Sequence, residues 1–204
     1  MFKQALNPAT LEALIKVGQA NSLPPKTHLA GGTALALHIG HRYSFDLDFF
    51  TPSSFNPQII ENRLNKINFT REQLAPDTLL GKIDSTKFSL FLYSHPLISP
   101  STKFHNINIA SIKDIAAMKL LAIADRGTKR DFFDLYFIMQ EFSLKQVFSF
   151  HDQKFNQPNN RYHLLKALTY FTDAEDNPPL KVIKPVPWPQ IKTFFESLVK
   201  SQKI

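Results

Sequence analysis

Asp46 and Asp48 stand one residue apart in the aromatic and aliphatic run Phe45-Asp-Leu-Asp-Phe-Phe50. In an extended strand, side chains at i and i+2 share a face, so this spacing projects the two carboxylates together. Adjacent carboxylates repel and lose hydration, and a fold keeps them only where a cation or donors offset that cost. A divalent metal is the expected partner. Upstream, Gly31-Gly32 stands between a short strand and a helix. Glycines there allow close approach to the backbone, and the free N–H groups of a helix start bind phosphate. Magnesium takes one or two carboxylates together with phosphate oxygens. The glycine turn, the helix start, Arg42 and the paired acids therefore describe a nucleoside triphosphate–Mg²⁺ site. The plainer alternative is an exposed strand end carrying two solvated aspartates.

The elements that must position these residues are legible from their caps and periodicity. Asn7-Pro8 is a cap followed by proline at the first helical position, which predicts a helix over 8–20. Residues 28–30 read as a short strand, 33–39 as a helix and 45–50 as the aspartate strand. Asn56-Pro57 repeats the cap signal before a helix over 57–66. Three strand-like runs follow at 68–73, 78–84 and 87–93, with Ser85-Thr86 as the turn between the last two, and 107–110 adds a short strand. After Ser111 the period becomes helical. Ser111-Ile-Lys-Asp114 resembles a capping box before an apolar stripe of Ile115, Met118, Leu121 and Ala122. Gly127 ends that helix. Further helices are expected over 131–142, 143–150 and 161–171, then a loop over 173–189 and a last amphipathic helix running to the C-terminus. The expected class is α/β (α+β), with an α/β core over 1–110 and a helical region over 111–204.

The 204 residues include no cysteine, which excludes disulfides, thiolate metal sites and cysteine nucleophiles. No apolar run is long enough to span a bilayer and no signal-peptide pattern follows Met1, so no membrane partner is expected and the cytoplasm is the default compartment. The formal charge of +7 favours an anionic partner such as nucleotide or RNA. Residues 1–110 carry 10 basic and 7 acidic side chains, and 111–204 carry 14 and 10. The excess is thus spread along the chain, and charge alone marks no RNA-binding face.

The run Gly31-Gly-Thr-Ala-Leu-Ala-Leu-His-Ile-Gly-His-Arg-Tyr-Ser-Phe-Asp-Leu-Asp-Phe-Phe50 resembles the signature of the AbiEii/AbiGii toxin family of nucleotidyltransferases, within the polymerase-β-like superfamily. The resemblance extends through Lys87-Phe-Ser-Leu-Phe91, Ser111 to Lys119, Arg126 to Tyr136, Tyr162 to Leu165 and Thr169 to Phe171. It implies a nucleotidyltransferase fold, with a mixed β-sheet flanked by helices and followed by a C-terminal helical region packed on the core and completing the site. It further implies that Asp46 and Asp48 bind Mg²⁺ (or Mn²⁺) and that Gly31, Gly32 and Thr33 contact the triphosphate. Arg42 and Ser44 would orient the phosphates or buttress the aspartates. The later blocks fall on Lys119, as a phosphate-binding cation, and on Arg130, Asp131 and Asp134, the two acids sharing a helix face at i and i+3.

Each of these later residues has a plainer reading. Lys119 suits a solvated position on an amphipathic helix, Asp131 a helix start favoured by the macrodipole, and Asp134 an ion pair with Arg130. His41 reads as a loop or surface residue rather than a ligand or base. Many members of the superfamily carry a third carboxylate on a neighbouring strand, where it activates the acceptor hydroxyl. Here that position reads Ser89, and Asp84 is the nearest acid. Three readings follow: two carboxylates suffice, another acid serves as base, or transfer has faded to nucleotide binding; the first is preferred. The implied activity is Mg²⁺-dependent transfer of a nucleoside monophosphate from a triphosphate to an acceptor, with a toxin's role, RNA (tRNA) as acceptor and a cognate antitoxin as partner. The alternatives are a regulatory nucleotide-binding module and a transferase acting on a protein or small-molecule hydroxyl.

Overall fold

The computed structural model describes residues 1–156 and 161–202, and its backbone contacts divide the chain into two compact units, Met1–Ser111 and Ile112–Ile204. In the first, α1 (Pro8–Ala20) starts as its sequence requires: the Asn7 side chain accepts from Thr10 N–H at 2.7 Å, and Pro8 occupies the first turn. The same chemistry opens α3 (Pro57–Leu64), where Asn56 Oδ1 accepts from Gln58 and Ile59 N–H. Between them lie β1 (His28–Leu29), α2 (Gly31–Ile39) and β2 (Asp46–Thr51). The strands β3 (Phe69–Ala75), β4 (Thr78–Ile83), β5 (Thr86–Leu92), β6 (Thr102–Phe104) and β7 (Ile107–Ile109) complete a sheet of order β3-β4-β5-β2-β1-β7-β6. It is mixed: β2 runs parallel to β5 and β1 parallel to β7, and the other pairs are antiparallel.

The sheet's two faces differ. Leu47 and Phe49 on β2, Phe88 and Leu90 on β5, and Leu79 and Ile83 on β4 are buried; α1 contacts β2 and β5, α3 contacts β3 and β4, and α2 contacts β2. The Phe88 ring meets Phe49 and Phe69 at centroid distances of 5.4 and 5.5 Å. The alternate residues, Asp46, Asp48 and Phe50 on β2 and Ser89 and Phe91 on β5, are half-buried and share the opposite face.

In the second unit, α4 (Ile112–Asp125), α5 (Lys129–Ile138), α6 (Leu144–Phe155), α7 (Arg161–Ala167), α8 (Thr172–Glu175) and α9 (Trp188–Lys200) surround an aromatic core. There Phe132 meets Phe171, Trp188 and Phe195 at 5.1, 5.9 and 5.6 Å. A capping box of Ser143 and Gln146 opens α6. Among the described residues no helix is long and apolar enough to cross a membrane.

Several sequence expectations need correction. The glycine pair belongs to the first turn of α2 rather than to a turn before it, because Gly31 adopts φ +66° at the helix start. The β4–β5 turn is Asp84-Ser85, one residue earlier than expected, since Asp84 takes the left-handed conformation. A strand absent from the sequence reading, β6, pairs with β7 across His105-Asn106, both at positive φ, a backbone suited to a two-residue hairpin. The buried face of α4 is Asp114, Ile115, Ala116, Ala117, Lys119, Leu120 and Ile123, whereas Met118, Leu121 and Ala122 are half-buried. The expected stripe was turned because it admitted no charged residue. The expected 143–150 helix extends to Phe155, and the 173–189 loop begins inside the short α8. The end of α9 is Lys200; residues 203–204, to which the last helix was expected to run, lie outside the described residues.

Candidate active site

The end of β1 is tied to β2 at the aspartate pair: Ala30 N–H donates to the Asp48 carbonyl at 3.0 Å. The chain turns there into α2, whose N-cap residue Ala30 provides no side-chain cap, and the first-turn N–H groups of such a helix start suit an anion. Gly31 is required twice over. Its φ of +66° disfavours any L side chain, and a Cβ would lie 3.3 Å from Asp48 Oδ2. Gly32 makes room for a cation, since a Cβ there would stand 2.3 Å from Arg42 Nη2 and 3.4 Å from Ser44 Oγ.

The segment after α2 folds back over this turn. Arg42, buried to 6% exposure, donates from Nη1 to the Tyr43 carbonyl at 3.0 Å. Thr33 Oγ1 donates to the Asp46 carbonyl and, having one proton, accepts from Ser44 Oγ at 2.8 Å. Ser44 N–H in turn donates to Ala5. Thr33 and Ser44 thus pin the start of β2 to the first turn of α2. His41 is fully buried rather than a surface residue.

Asp46 and Asp48 alternate with the buried Leu47 and Phe49, so both carboxylates lie on the half-exposed face beside the glycine turn. Among the described residues no group of three or more histidine and acidic side chains could together hold a metal. A two-carboxylate, all-oxygen donor set beside uncapped amides fits Mg²⁺ or Mn²⁺ that draws its remaining ligands from phosphate and water, and it does not fit a metal caged wholly by protein. In the parallel β2–β5 register, Asp46 is partnered by Lys87 and Asp48 by Ser89. The strand position beside Asp48 is therefore a hydroxyl. Asp84 lies in the turn before β5, its carboxylate on Lys16 of α1 at 2.8 Å and on Asn68 at 3.1 Å. These contacts hold its carboxyl below the usual carboxylate range and tie it to the helix on the other face.

The second unit carries its own charged cluster. Lys119, 5% exposed, places Nζ 2.8 Å from Asp131 Oδ1 and 2.6 Å from Asp134 Oδ2, and both acids are fully buried. Arg126 adds a two-pronged contact to Asp131 at 3.0 and 3.1 Å, and Thr128 donates to it at 2.5 Å. Burial pushes the Asp131 carboxyl up, but the Lys119 charge, the Arg126 hydrogen bonds and charge, and the Lys119 hydrogen bond outweigh it. The net effect holds Asp131 far below its ordinary range. Lys119 is accordingly no solvated helix position, and Asp134 meets it. A second buried ion pair joins Asp114 on α4 to Lys154 on α6 at 2.8 Å. Sequence reasoning missed that pair because 40 residues separate its members. It also gave Arg126 and Thr128 no role, although their place just before Asp131 at a helix start was a usable signal.

Comparison with known proteins places this chain in a family. The model of the nucleotidyl transferase AbiEii toxin of type IV toxin–antitoxin systems matches residues 13–88 and 83–202. Uncharacterized protein aq_aa25 of Aquifex aeolicus (strain VF5) is 36% identical over 197 residues, covering 93% of this chain and 92% of that one. Among solved structures, JHP933 of Helicobacter pylori superposes with a TM-score of 0.59 at 19% identity, covering 98% of this chain and 92% of that one. MenT4, a nucleotidyltransferase toxin of Mycobacterium tuberculosis H37Rv, gives 0.57 at 16% identity over 97% and 87% of the two chains. The antibiotic-resistance factor ANT(2'')-Ia gives 0.54 at 13% identity over 78% and 96%. These structural likenesses are likenesses of fold.

Proposed function

Because this chain belongs to the AbiEii nucleotidyltransferase toxin family, we propose that it moves a nucleoside monophosphate from a nucleoside triphosphate to an acceptor and releases pyrophosphate, as the toxin of a toxin–antitoxin pair. The observation that carries this reading is the meeting of the Asp46–Asp48 carboxylates with the uncapped first turn of α2, where Gly31 leaves no side chain between them. Asp46 and Asp48 would hold Mg²⁺ or Mn²⁺, which would supply positive charge against the phosphate oxygens. The N–H groups of Gly31, Gly32 and Thr33 hold phosphate oxygens at the helix start. Arg42, packed on Gly32, and Ser44, bonded to Thr33, fix that turn against β2. On the resemblance of the blocks from Ser111 to Tyr136, Lys119 and Asp134 act in transfer and Arg130 and Asp131 in nucleotide binding. A net charge of +7 is compatible with an RNA acceptor, and the family resemblance points to tRNA. A cognate antitoxin in the cytoplasm completes the reading.

The test incubates the protein with labelled nucleoside triphosphates, Mg²⁺ and total tRNA, or a protein or small-molecule acceptor. Label on tRNA that is lost in Asp46→Ala and Asp48→Ala is the expected result. Label on a protein or metabolite moves the acceptor class, and transfer that survives both substitutions overturns the site. One observation favours a second reading. The residue beside Asp48 is Ser89 rather than a carboxylate, which suits a module that binds nucleotide without transferring it. Triphosphate binding that depends on Asp46, with no label transferred to any acceptor, is its signature.

A further inference from the structure

The face of the sheet that carries Asp46 and Asp48 continues as a row of aromatic rings. Phe50 follows Asp48 by two residues on the same face, about 7 Å along the strand, on the side away from the start of α2. It is partnered by Phe91 on β5, one step beyond the Asp48–Ser89 pair. The Phe50 ring lies 5.9 Å from Phe91, 5.2 Å from Tyr93 and 6.2 Å from His28, and Tyr93 stands 5.0 Å from His95. His28 is buried, while Phe50, Phe91, Tyr93 and His95 are half-buried, as the two aspartates are. The sheet's apolar core uses the other face, where Phe49, Phe88 and Leu90 are at most 1% exposed. These rings therefore keep apolar area in water that the packed core does not absorb.

We propose that Phe50, Phe91 and Tyr93 form a stacking platform for a nucleobase. The inference deepens the triphosphate reading and rests on it. Phosphates held at Asp48 and the α2 amides leave a nucleoside only its sugar's span to cross before its base reaches Phe50 and Phe91. Every base has a π-face, so an aromatic platform accepts bases with little sequence preference. The base belongs either to the triphosphate or to the terminal nucleotide of an RNA acceptor, and the assay separates the two.

Binding of Mg²⁺ with ATP, GTP, CTP or UTP is compared with binding of Mg²⁺ with inorganic tripolyphosphate, and binding of a short single-stranded oligoribonucleotide is measured alongside. Phe91→Leu and Phe50→Leu keep apolar bulk and remove the π-face. The expected result is a loss of about 10-fold or more, the scale of one stacked base, with tripolyphosphate binding unchanged. A loss confined to triphosphates assigns the platform to that substrate, and one confined to the oligoribonucleotide assigns it to the acceptor. Phe91→Trp keeps a ring and retains binding. Because the natural chain has one tryptophan, Trp188, the new indole also reports stacking as quenching that tripolyphosphate does not produce. Leucine variants that bind both nucleotide and oligoribonucleotide like wild type overturn the platform while the phosphate site stands. A wild-type protein that binds neither tripolyphosphate nor triphosphate overturns the triphosphate reading, and the platform with it.

Discussion

Replacing Lys119 by methionine keeps the length of the side chain and deletes its charge. The cluster in the helical unit balances two cations, Lys119 and Arg126, against two acids, Asp131 and Asp134. Without the ammonium, Asp131 keeps Arg126 and Thr128, whereas the fully buried Asp134 loses its 2.6 Å partner. Removing one member of a buried pair costs about 3–5 kcal/mol, against about 0–1 kcal/mol for an exposed pair. The expected loss for Lys119→Met at pH 7 is in the first range. The pH dependence has a definite sign. Deleting the ammonium beside a buried carboxylate favours the carboxyl's neutral form, so the folded variant takes up a proton more readily than the unfolded chain. Its stability then rises as pH falls from the folded toward the unfolded titration, by about 1.4 kcal/mol per pH unit. Wild type behaves oppositely. Asp131 titrates below its unfolded value, so its contribution is present above pH of about 4 and is lost below it. The two stabilities converge on acidification. Urea unfolding followed by circular dichroism at pH 7, 6 and 5 measures the difference. Adding Asp134→Asn to Lys119→Met should recover more than half of the loss. A loss under about 1 kcal/mol with no pH dependence would refute a buried ion network at these residues.

Three shorter predictions test other parts of the molecule. Gly32→Ala drives a methyl into the Arg42 guanidinium, so transfer measured as kcat/KM should fall on the order of 10²-fold with the circular dichroism spectrum unchanged; wild-type kinetics would show that Arg42 does not hold the turn. Ser89→Ala should leave kcat within a few-fold, because a general base contributes roughly 10²–10⁴-fold; a drop of that size would make Ser89 part of the chemistry. His151 is fully buried, and its ring nitrogens meet no hydrogen-bond partner among the described residues. Burial lowers its titration, with Asp152 opposing, so its stabilising effect is present above pH of about 6.5 and is lost as pH falls below it. His151→Phe should flatten wild type's loss of stability between pH 6.5 and 5, and an unchanged slope would rule His151 out as its source.

Structure was legible in the sequence where the physics is local. Asn7-Pro8, Asn56-Pro57 and the Ser143–Gln146 box cap helices through contacts within one turn, so neighbours in sequence suffice to specify them. Alternation put Asp46 and Asp48 on one face for the same reason. Legibility failed for the β6–β7 hairpin, whose His105-Asn106 turn lacks glycine, and for the buried face of α4, where charge was read as exposure. A lysine is solvated only if nothing covers it, and what covers Lys119 are two aspartates that α5 supplies.

By itself, then, the sequence determined the family, the succession of elements, and a carboxylate pair beside a glycine turn, because spacing along a strand or helix fixes which side chains share a face. The tertiary structure alone decided the rest. It set Arg42 against Gly32, Ser89 beside Asp48, Phe91 beside Phe50, and Lys154 on Asp114 across 40 residues. Those outcomes depend on strand register and on desolvation, and both arise only when distant segments pack.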